Sequence, residues 1–241
     1  MLVAAAVCPC PPLLVSEVAA GAASEFDDAR TACRDALGVI AAARPDLLIV
    51  VGPCAETDGE GPYPAGATGS FEGFGVGLSV RLGGDVSGDT APAGRRLPAS
   101  LAVGAWLLDR ARWTGAAVEG LAVGERLAAD SCALAGKELA ARADRVALLV
   151  MGDGSACRTV KAPGYLDERA VAFDTAVTRA LGDADLPALS SLDASLGYAL
   201  KAAGRAPWQV LAGAAEGAGL AGRLLYADAP YGVGYTVAVW S

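Results

Sequence analysis

The chain has 241 residues, of which 54% are hydrophobic and only 19% are charged, so it predicts a folded protein with a sizeable core and excludes a disordered one. Nineteen basic residues against 27 acidic ones give a net charge of −8 without a basic tract, so we expect no nucleic-acid partner. Histidine is absent from the sequence. This excludes Ser-His-Asp and Cys-His catalysis and the usual histidine-ligated iron centre.

The hydrophobic pattern predicts strands that alternate with helices along the chain. The first strand, residues 3–7, is followed by prolines and lacks a basic flank, so it predicts neither a signal peptide nor a membrane span. The strands at 47–51 and 146–151 are apolar on both faces, which is typical of a parallel sheet covered by helices. The remaining strands are predicted at 75–82, 118–123, 223–227 and 233–240.

Helices are predicted between these strands, with Ser24 as the N-cap of the first and Pro207 in the first turn of the last. They span 24–43, 98–113, 125–143, 167–181, 191–203 and 207–215. Residues 55–70 are rich in Gly, Pro and acidic residues and predict a long irregular loop of the kind that is often functional; a second loop is predicted at 83–96. The sequence therefore predicts a single layered α/β domain over residues 1–241, with a central, mostly parallel sheet flanked by helices.

Six cysteines and no export signal predict reduced thiols and a cytoplasmic location. Cys33 and Cys132 fall at apolar positions of predicted helices, so we interpret them as small buried residues. The other four follow predicted strands, and ligands of parallel α/β sheets collect beyond the carboxyl ends of strands. These four are the candidates for chemistry: Cys8, Cys10, Cys54 and Cys157.

Cys8 and Cys10 are separated by one proline. In an extended segment residues two apart share a face, so both thiols could approach one ion or each other. The sequence holds no second pair at this spacing, and a structural role also explains the first pair. A soft-metal or redox role and a structural role are therefore both open for these two thiols.

A polar turn, Gly152-Asp153-Gly154-Ser155, follows the strand at 146–151. Gly, Asp and Ser are ordinary turn formers, and the turn is neither a phosphate loop nor a nucleophile elbow. Its alternative role is catalytic, with Asp153 and Ser155 joined by Cys157 and by Lys161, the lysine nearest to the turn in sequence. Glu216, after the last predicted helix, is either a solvated helix end or an acid in an apolar neighbourhood.

Taken together, these segments resemble the class III extradiol dioxygenase (LigB-like) superfamily, which also includes the Memo proteins. The most similar members are small actinobacterial proteins of unassigned function. The resemblance covers nearly the whole chain, and it indicates the fold more specifically than any activity. It rests on the segments Val7–Leu14, Val50–Pro53, Met151–Ser155, Ala162–Asp167 and Ala229–Tyr235.

The resemblance implies a site at which active members hold Fe(II) with two histidines and a glutamate, while another histidine acts as acid and base in opening a catechol ring. Cys10 and Cys54 stand in the sequence contexts of the two iron-binding histidines. Ala156 or Cys157 stands where the acid-base histidine would be, and Glu216 would be the carboxylate. The family's histidines are all missing, so we expect no ordinary extradiol cleavage.

Thiolate is a softer ligand than imidazole, so the resemblance predicts a metal site for Zn, Cu(I) or Fe(II), or a thiol redox site, in place of the non-haem iron centre. Its ligands would be Cys10 and Cys54, assisted by Cys8, Cys157 or Glu216. One alternative is an inactive homologue that binds a small molecule or a partner. Another is a divergent metal-dependent oxidoreductase that acts on a catechol-like substrate. A small-molecule substrate and a second copy of the chain are the partners left open; no membrane partner is expected.

Overall fold

The apolar runs of the sequence form the strands of a central sheet in the structure, a computed structural model that describes residues 1–55, 59–83 and 95–241. These runs become strands because their side chains are buried on both faces. The strands are β1 (Leu2–Cys8), β2 (Leu47–Cys54), β3 (Gly61–Tyr63), β4 (Thr68–Ser70), β5 (Ser79–Arg81), β6 (Ala117–Gly124), β7 (Val146–Met151), β8 (Gly222–Asp228) and β9 (Tyr235–Trp240).

Within the described ranges, seven strands pair in the order β3-β6-β2-β7-β1-β9-β8, and β4 pairs with β5 in a separate ribbon. The middle strands β6, β2, β7 and β1 are mutually parallel. Antiparallel pairing adds β3 at one edge and β9 and β8 at the other. The predicted single α/β domain with a mostly parallel central sheet is therefore confirmed.

Helices cover both faces of this sheet. They are α1 (Ser16–Ala19), α2 (Asp27–Ala42), α3 (Ala99–Arg110), α4 (Ala129–Ala140), α5 (Ala170–Asp183), α6 (Leu186–Ser190), α7 (Ala194–Ala199) and α8 (Arg205–Ala214). Helices α2 and α3 pack on one face, with Phe26 and Leu101 in the core they form. Helices α4, α5 and α8 pack on the other face, around Trp208 and Val177. No helix in the described part of the chain is long and apolar enough to cross a membrane.

Several helices begin away from the predicted residues. Ser24 is not an N-cap, because a 3-10 helix over Ala20–Phe26 precedes α2 and places Phe26 at the cap position. Helix α4 begins only at Ala129, since the chain turns at Glu125 as it leaves β6. Helix α8 begins at Arg205, so Pro207 is its third residue rather than its first.

The helix predicted at 191–203 is shorter in the structure and is preceded by a helix that the pattern did not indicate. The cause is two side-chain caps. The Asp185 carboxylate accepts a hydrogen bond from the Ala188 N–H and starts α6, and the Asp193 carboxylate accepts one from the Leu196 N–H and starts α7.

The loop predicted at 55–70 contains the short strands β3 and β4, so the expectation of an irregular segment is wrong for these residues. Strand β3 forms because its backbone pairs with β6, which fixes the position of Tyr63. The strand predicted at 75–82 is limited to β5. Residues 56–58 of the first predicted loop and 84–94 of the second lie outside the described residues.

Candidate functional site

The loops that follow β1, β2 and β6 converge at the carboxyl edge of the sheet, because parallel strands end at the same edge. They surround a cavity of about 470 Å³ whose wall includes Cys10, Cys54 and Glu125. Both cysteines are reduced and nearly buried, at 7% and 6% exposure. The structure thus brings the two cysteines singled out from separate strand ends to one cavity, which we call the thiol cavity.

Cys10 is fixed by Asp153, from the turn after β7. An oxygen of the Asp153 carboxylate accepts a hydrogen bond from the Cys10 backbone N–H at 2.7 Å, while the Asp153 carbonyl accepts one from the Gly204 N–H at 2.9 Å. Burial raises the pKa of Asp153 to about 7, although its hydrogen bonds with Cys10 act in the opposite direction. The Asp153 carboxyl therefore changes protonation close to neutral pH.

The charge around Cys10 is negative. Burial raises the pKa of the Cys10 thiol well above its ordinary value, and the charges of Asp153 and Glu125 raise it further. The thiol is therefore protonated at neutral pH in the protein as it stands. This is the opposite of an activated nucleophilic cysteine, whose pKa is lowered by nearby positive charge.

Cys54 closes β2, lies against Gly59 and also lines the thiol cavity. A Cβ atom on residue 59 would overlap the Cys54 sulfur, so only glycine fits there without displacing the thiol. The Gly59 carbonyl accepts a hydrogen bond from the Tyr63 hydroxyl at 2.8 Å, and the Arg95 guanidinium lies 4.8 Å from the centre of the Tyr63 ring. Strand β3 therefore holds the wall of the thiol cavity next to Cys54.

Sequence reasoning missed three residues of this wall, Glu125, Tyr63 and Ser100. The Ser100 hydroxyl donates a hydrogen bond to the Pro53 carbonyl at 2.7 Å and ties the start of α3 to the end of β2. Glu125 follows β6 directly, so the strand-end rule that identified Cys54 would also have found it. Tyr63 and Ser100 gave no comparable signal, since their place depends on pairing and packing between distant segments.

Ser155, a predicted catalytic residue, faces away from the thiol cavity. Its hydroxyl and its N–H each donate a hydrogen bond of 2.7 Å to the Asp174 carboxylate on α5, and Arg158 lies 3.7 Å from the same carboxylate. Ser155 and Asp174 are both buried, and burial raises the pKa of Asp174. The structure therefore places Ser155 in a buried contact with α5 and not in the wall of the thiol cavity, and its catalytic role stays a prediction.

Cys157 and Lys161, the other predicted catalytic residues, do not line the thiol cavity. Cys157 belongs to the core on the opposite face of the sheet, where its thiol donates a hydrogen bond to the Leu200 carbonyl at 3.4 Å. Burial raises the pKa of that thiol. Lys161 is exposed on the loop that follows. Of the four predicted catalytic residues, the structure places only Asp153 beside Cys10.

Cys8 contacts the core rather than the cavity. It is fully buried beside Cys33 on α2, and the hydrogen bond between the two thiols, together with burial, raises the pKa of Cys8 well above its ordinary value. Cys33 and Cys132 are buried, as the spacing predicted. Cys8 is thus a core residue adjacent to the site, and its expected role as a metal ligand is not supported.

Glu216 lies away from the thiol cavity. Helix α8 starts next to Asp153, through the Gly204 N–H, and runs away from the carboxyl edge of the sheet. Glu216 follows the far end of that helix, where it is half exposed and forms an ion pair of 3.0 Å with Lys137 of α4. The expectation that Glu216 completes the metal site is therefore corrected, and the carboxylates near Cys10 are Asp153 and Glu125.

The residues present do not fit the iron of an extradiol dioxygenase. Across the described ranges, no group of three or more Cys, Asp or Glu side chains is placed to hold a metal ion. An open Fe(II) centre takes three protein ligands, and zinc sites take three or four. No ring-cleavage step follows from this site, and only an ion satisfied by the Cys10 and Cys54 thiolates would match it.

The sequence matches no family model and no curated protein. Among solved structures, the chain is similar to the uncharacterized protein JW3007 from Escherichia coli K12. That similarity has a TM-score of 0.61 and 15% sequence identity, and it covers 99% of each chain. At this identity the similarity shows the fold alone, so the LigB-like relationship stays a prediction.

Proposed function

We propose that the protein is a histidine-free relative of the LigB-like proteins that binds one Cu(I) ion between the thiolates of Cys10 and Cys54. The observation that carries the proposal is that these two thiols, from the ends of two separate strands, line the same cavity. Soft thiolate ligands select Cu(I) over harder ions such as Fe(II). The protein is then a metal-binding protein and not a ring-cleaving enzyme.

The electrostatics of the thiol cavity support a bound cation. Asp153 and Glu125 place negative charge near Cys10. Arg96 also lines the cavity, but its guanidinium is directed toward Glu72 at 3.7 Å and is largely exposed. A metal ion would offset the negative charge and bind the thiolate form, so we expect binding to release the proton of the Cys10 thiol.

The number of ligands favours Cu(I) over the other metals that the sequence suggested. Zinc would need at least one further protein ligand beside the two thiolates, and the described residues offer no such third group. Cu(I) is stable with two thiolate ligands. The thiol cavity therefore suits a two-coordinate soft ion.

Anaerobic titration with Cu(I) in competition with a chromogenic cuprous chelator tests this proposal. The wild type should retain one copper per chain, whereas Cys10→Ser and Cys54→Ser should each release it to the chelator. Cys157→Ser is the matched control, since it removes a buried thiol elsewhere and should retain the copper. Loss of all copper from the wild type, or equal loss in Cys157→Ser, would contradict the proposal.

The size of the thiol cavity favours a second candidate, small-molecule binding without a metal. About 470 Å³ exceeds the space that one ion needs and lies in the range of small-molecule sites. Calorimetric titration of chelator-treated protein with catechol tests this candidate. Binding that Ser100→Leu abolishes and Cys10→Ser preserves would support it, and absence of heat at millimolar catechol would reject it.

A further inference from the structure

A second cavity, separate from the thiol cavity, lies between α2 and α3 on one face of the molecule. Its volume is about 350 Å³, and its wall includes the arginines Arg30, Arg34 and Arg110. It shares no lining residue with the thiol cavity. The wall also includes Asp27, so three positive charges and one negative charge surround this cavity, in a chain whose net charge is −8.

Two of these arginines are held in place, and the third has free donors. Arg30 forms an ion pair of 2.7 Å with Asp27 and donates a hydrogen bond to the Leu14 carbonyl at 3.2 Å. Arg110 pairs with Glu17. Arg34 forms no hydrogen bond or ion pair with any residue that the structure describes, so its guanidinium donors are available to a ligand.

The rest of the wall is mixed: Ser16, Asp27 and Thr31 are polar or charged, and the other residues are apolar. Leu37 and Leu107 are buried core residues that reach the cavity, and Trp106 is only 4% exposed. The Arg110 guanidinium lies over the Trp106 ring, 5.3 Å from its centre. The indole N–H of Trp106 has no hydrogen-bond partner in the described part of the chain, which is uncommon for a buried tryptophan. The cavity thus combines a rim of three arginines and one aspartate with a floor that includes the apolar side chains Leu37, Leu107 and Trp106.

We propose that this second cavity binds a small aromatic carboxylate. The planar guanidinium of Arg34 would hold the carboxylate through paired hydrogen bonds, as arginine does with planar anions. The apolar body of the ligand would lie on Leu37, Leu107 and Trp106. A free inorganic anion would leave this floor empty, so the apolar surface favours a carboxylate that carries a ring. This proposal does not depend on copper binding at the thiol cavity.

Titration of the whole chain with benzoate, with benzamide as the matched neutral probe, tests the inference by calorimetry and ligand-observed NMR. Benzoate should bind at one site about tenfold more tightly than benzamide, and Arg34→Gln should weaken benzoate binding about tenfold. Arg34 is exposed and unpaired in the described structure, so the variant should fold normally.

Arg223→Gln is the control, because it removes the same charge from an exposed position on β8 outside the cavity. It should leave benzoate affinity unchanged, and the copper content of both arginine variants should equal that of the wild type. Equal binding of benzoate and benzamide, equal weakening by both substitutions, or no benzoate binding at millimolar concentration would overturn the inference. Loss of copper binding in the cysteine variants with benzoate binding intact would support it.

Discussion

Two aspartates accept hydrogen bonds on opposite sides of the turn after β7, and their surroundings differ. On one side, Asp153 accepts from the Cys10 N–H next to the thiol cavity and remains partly accessible. On the other side, Asp174 is buried and accepts from both the N–H and the hydroxyl of Ser155. One short polar turn thus contacts the buried Asp174 carboxylate of α5 on one side and places the Asp153 carboxyl next to the thiol cavity on the other.

The difference between Asp153 and Asp174 shows why a polar turn pattern does not by itself indicate catalysis. One of the hydrogen bonds that Asp174 accepts comes from the hydroxyl of Ser155, a predicted catalytic residue. Asp153 has a pKa of about 7 and lies beside Cys10. Its environment, and not the turn sequence, separates the functional candidate from the structural contact.

The largest expected effect is that of Asp174→Ala. The substitution leaves the buried N–H and hydroxyl of Ser155 without an acceptor, so we expect the free energy of unfolding to fall by about 3 kcal/mol. Urea denaturation measures the change, with Asp35→Ala at an exposed position of α2 as the control. A loss below about 1 kcal/mol would refute the structural interpretation of the Ser155–Asp174 contact.

A smaller loss is expected from Gly154→Ala, in the middle of the same turn. A Cβ atom at residue 154 would lie 2.7 Å from the Asp174 carboxylate and 2.9 Å from the Gly234 carbonyl, so the turn must shift. Overpacking of this kind costs about 2 kcal/mol. Gly38→Ala is the matched control: nothing lies within 4 Å of its added carbon, and it should stabilise α2 by about 0.5 kcal/mol. Similar thermal midpoints for the two variants would show that the turn is not tightly packed.

Asp153→Asn tests whether the Asp153 carboxyl, next to the thiol cavity, titrates near neutral pH. The pKa of Asp153 is raised to about 7 in the folded chain, so the native state holds this proton more tightly than the unfolded state does. The stability that this proton contributes is fully present below about pH 4 and is lost as the pH rises through about 7.

Relative to Asp153→Asn, we therefore expect the free energy of unfolding of the wild type to fall as the pH rises from 4 to 8. Urea denaturation across this range, in chelator-containing buffer, measures the difference. Parallel pH profiles of the two proteins would mean that Asp153 titrates at an ordinary pKa. Asp174→Asn, measured in the same series, shows how much of the pH dependence of the free energy of unfolding comes from Asp174.

Much of the fold could be predicted because strands that are buried on both faces of the sheet have continuous apolar sequences. β2 and β7 are apolar without interruption, and such runs are hard to mistake. The strand β3 could not be predicted, since three residues that include Gly61 and Pro62 become a strand only by pairing with β6. Its formation is a tertiary event, and no local pattern encodes it.

The candidate site was predictable to the extent that it follows strand ends. Cys10 and Cys54 were found by that rule, whereas Glu125 was assigned to a helix and overlooked. The orientation of the Ser155 side chain could not be predicted. It is fixed by the hydrogen bond to Asp174, which comes from the later helix α5. Glu216 does not lie beside Cys10 as predicted, because helix α8 begins, rather than ends, next to the turn that contains Asp153.

The smallest expected effect is that of Glu216→Gln. Glu216 and Lys137 form an ion pair in which each side chain is 53% exposed, so solvent screens their attraction and the pair contributes less than about 1 kcal/mol. Glu216→Gln should therefore change the urea midpoint very little and should leave the copper stoichiometry at one per chain. A copper loss equal to that of Cys10→Ser would contradict the placement of Glu216 away from the thiol cavity. Retention of the metal, together with its release from Cys54→Ser, would limit the binding determinants to the carboxyl edge of the sheet.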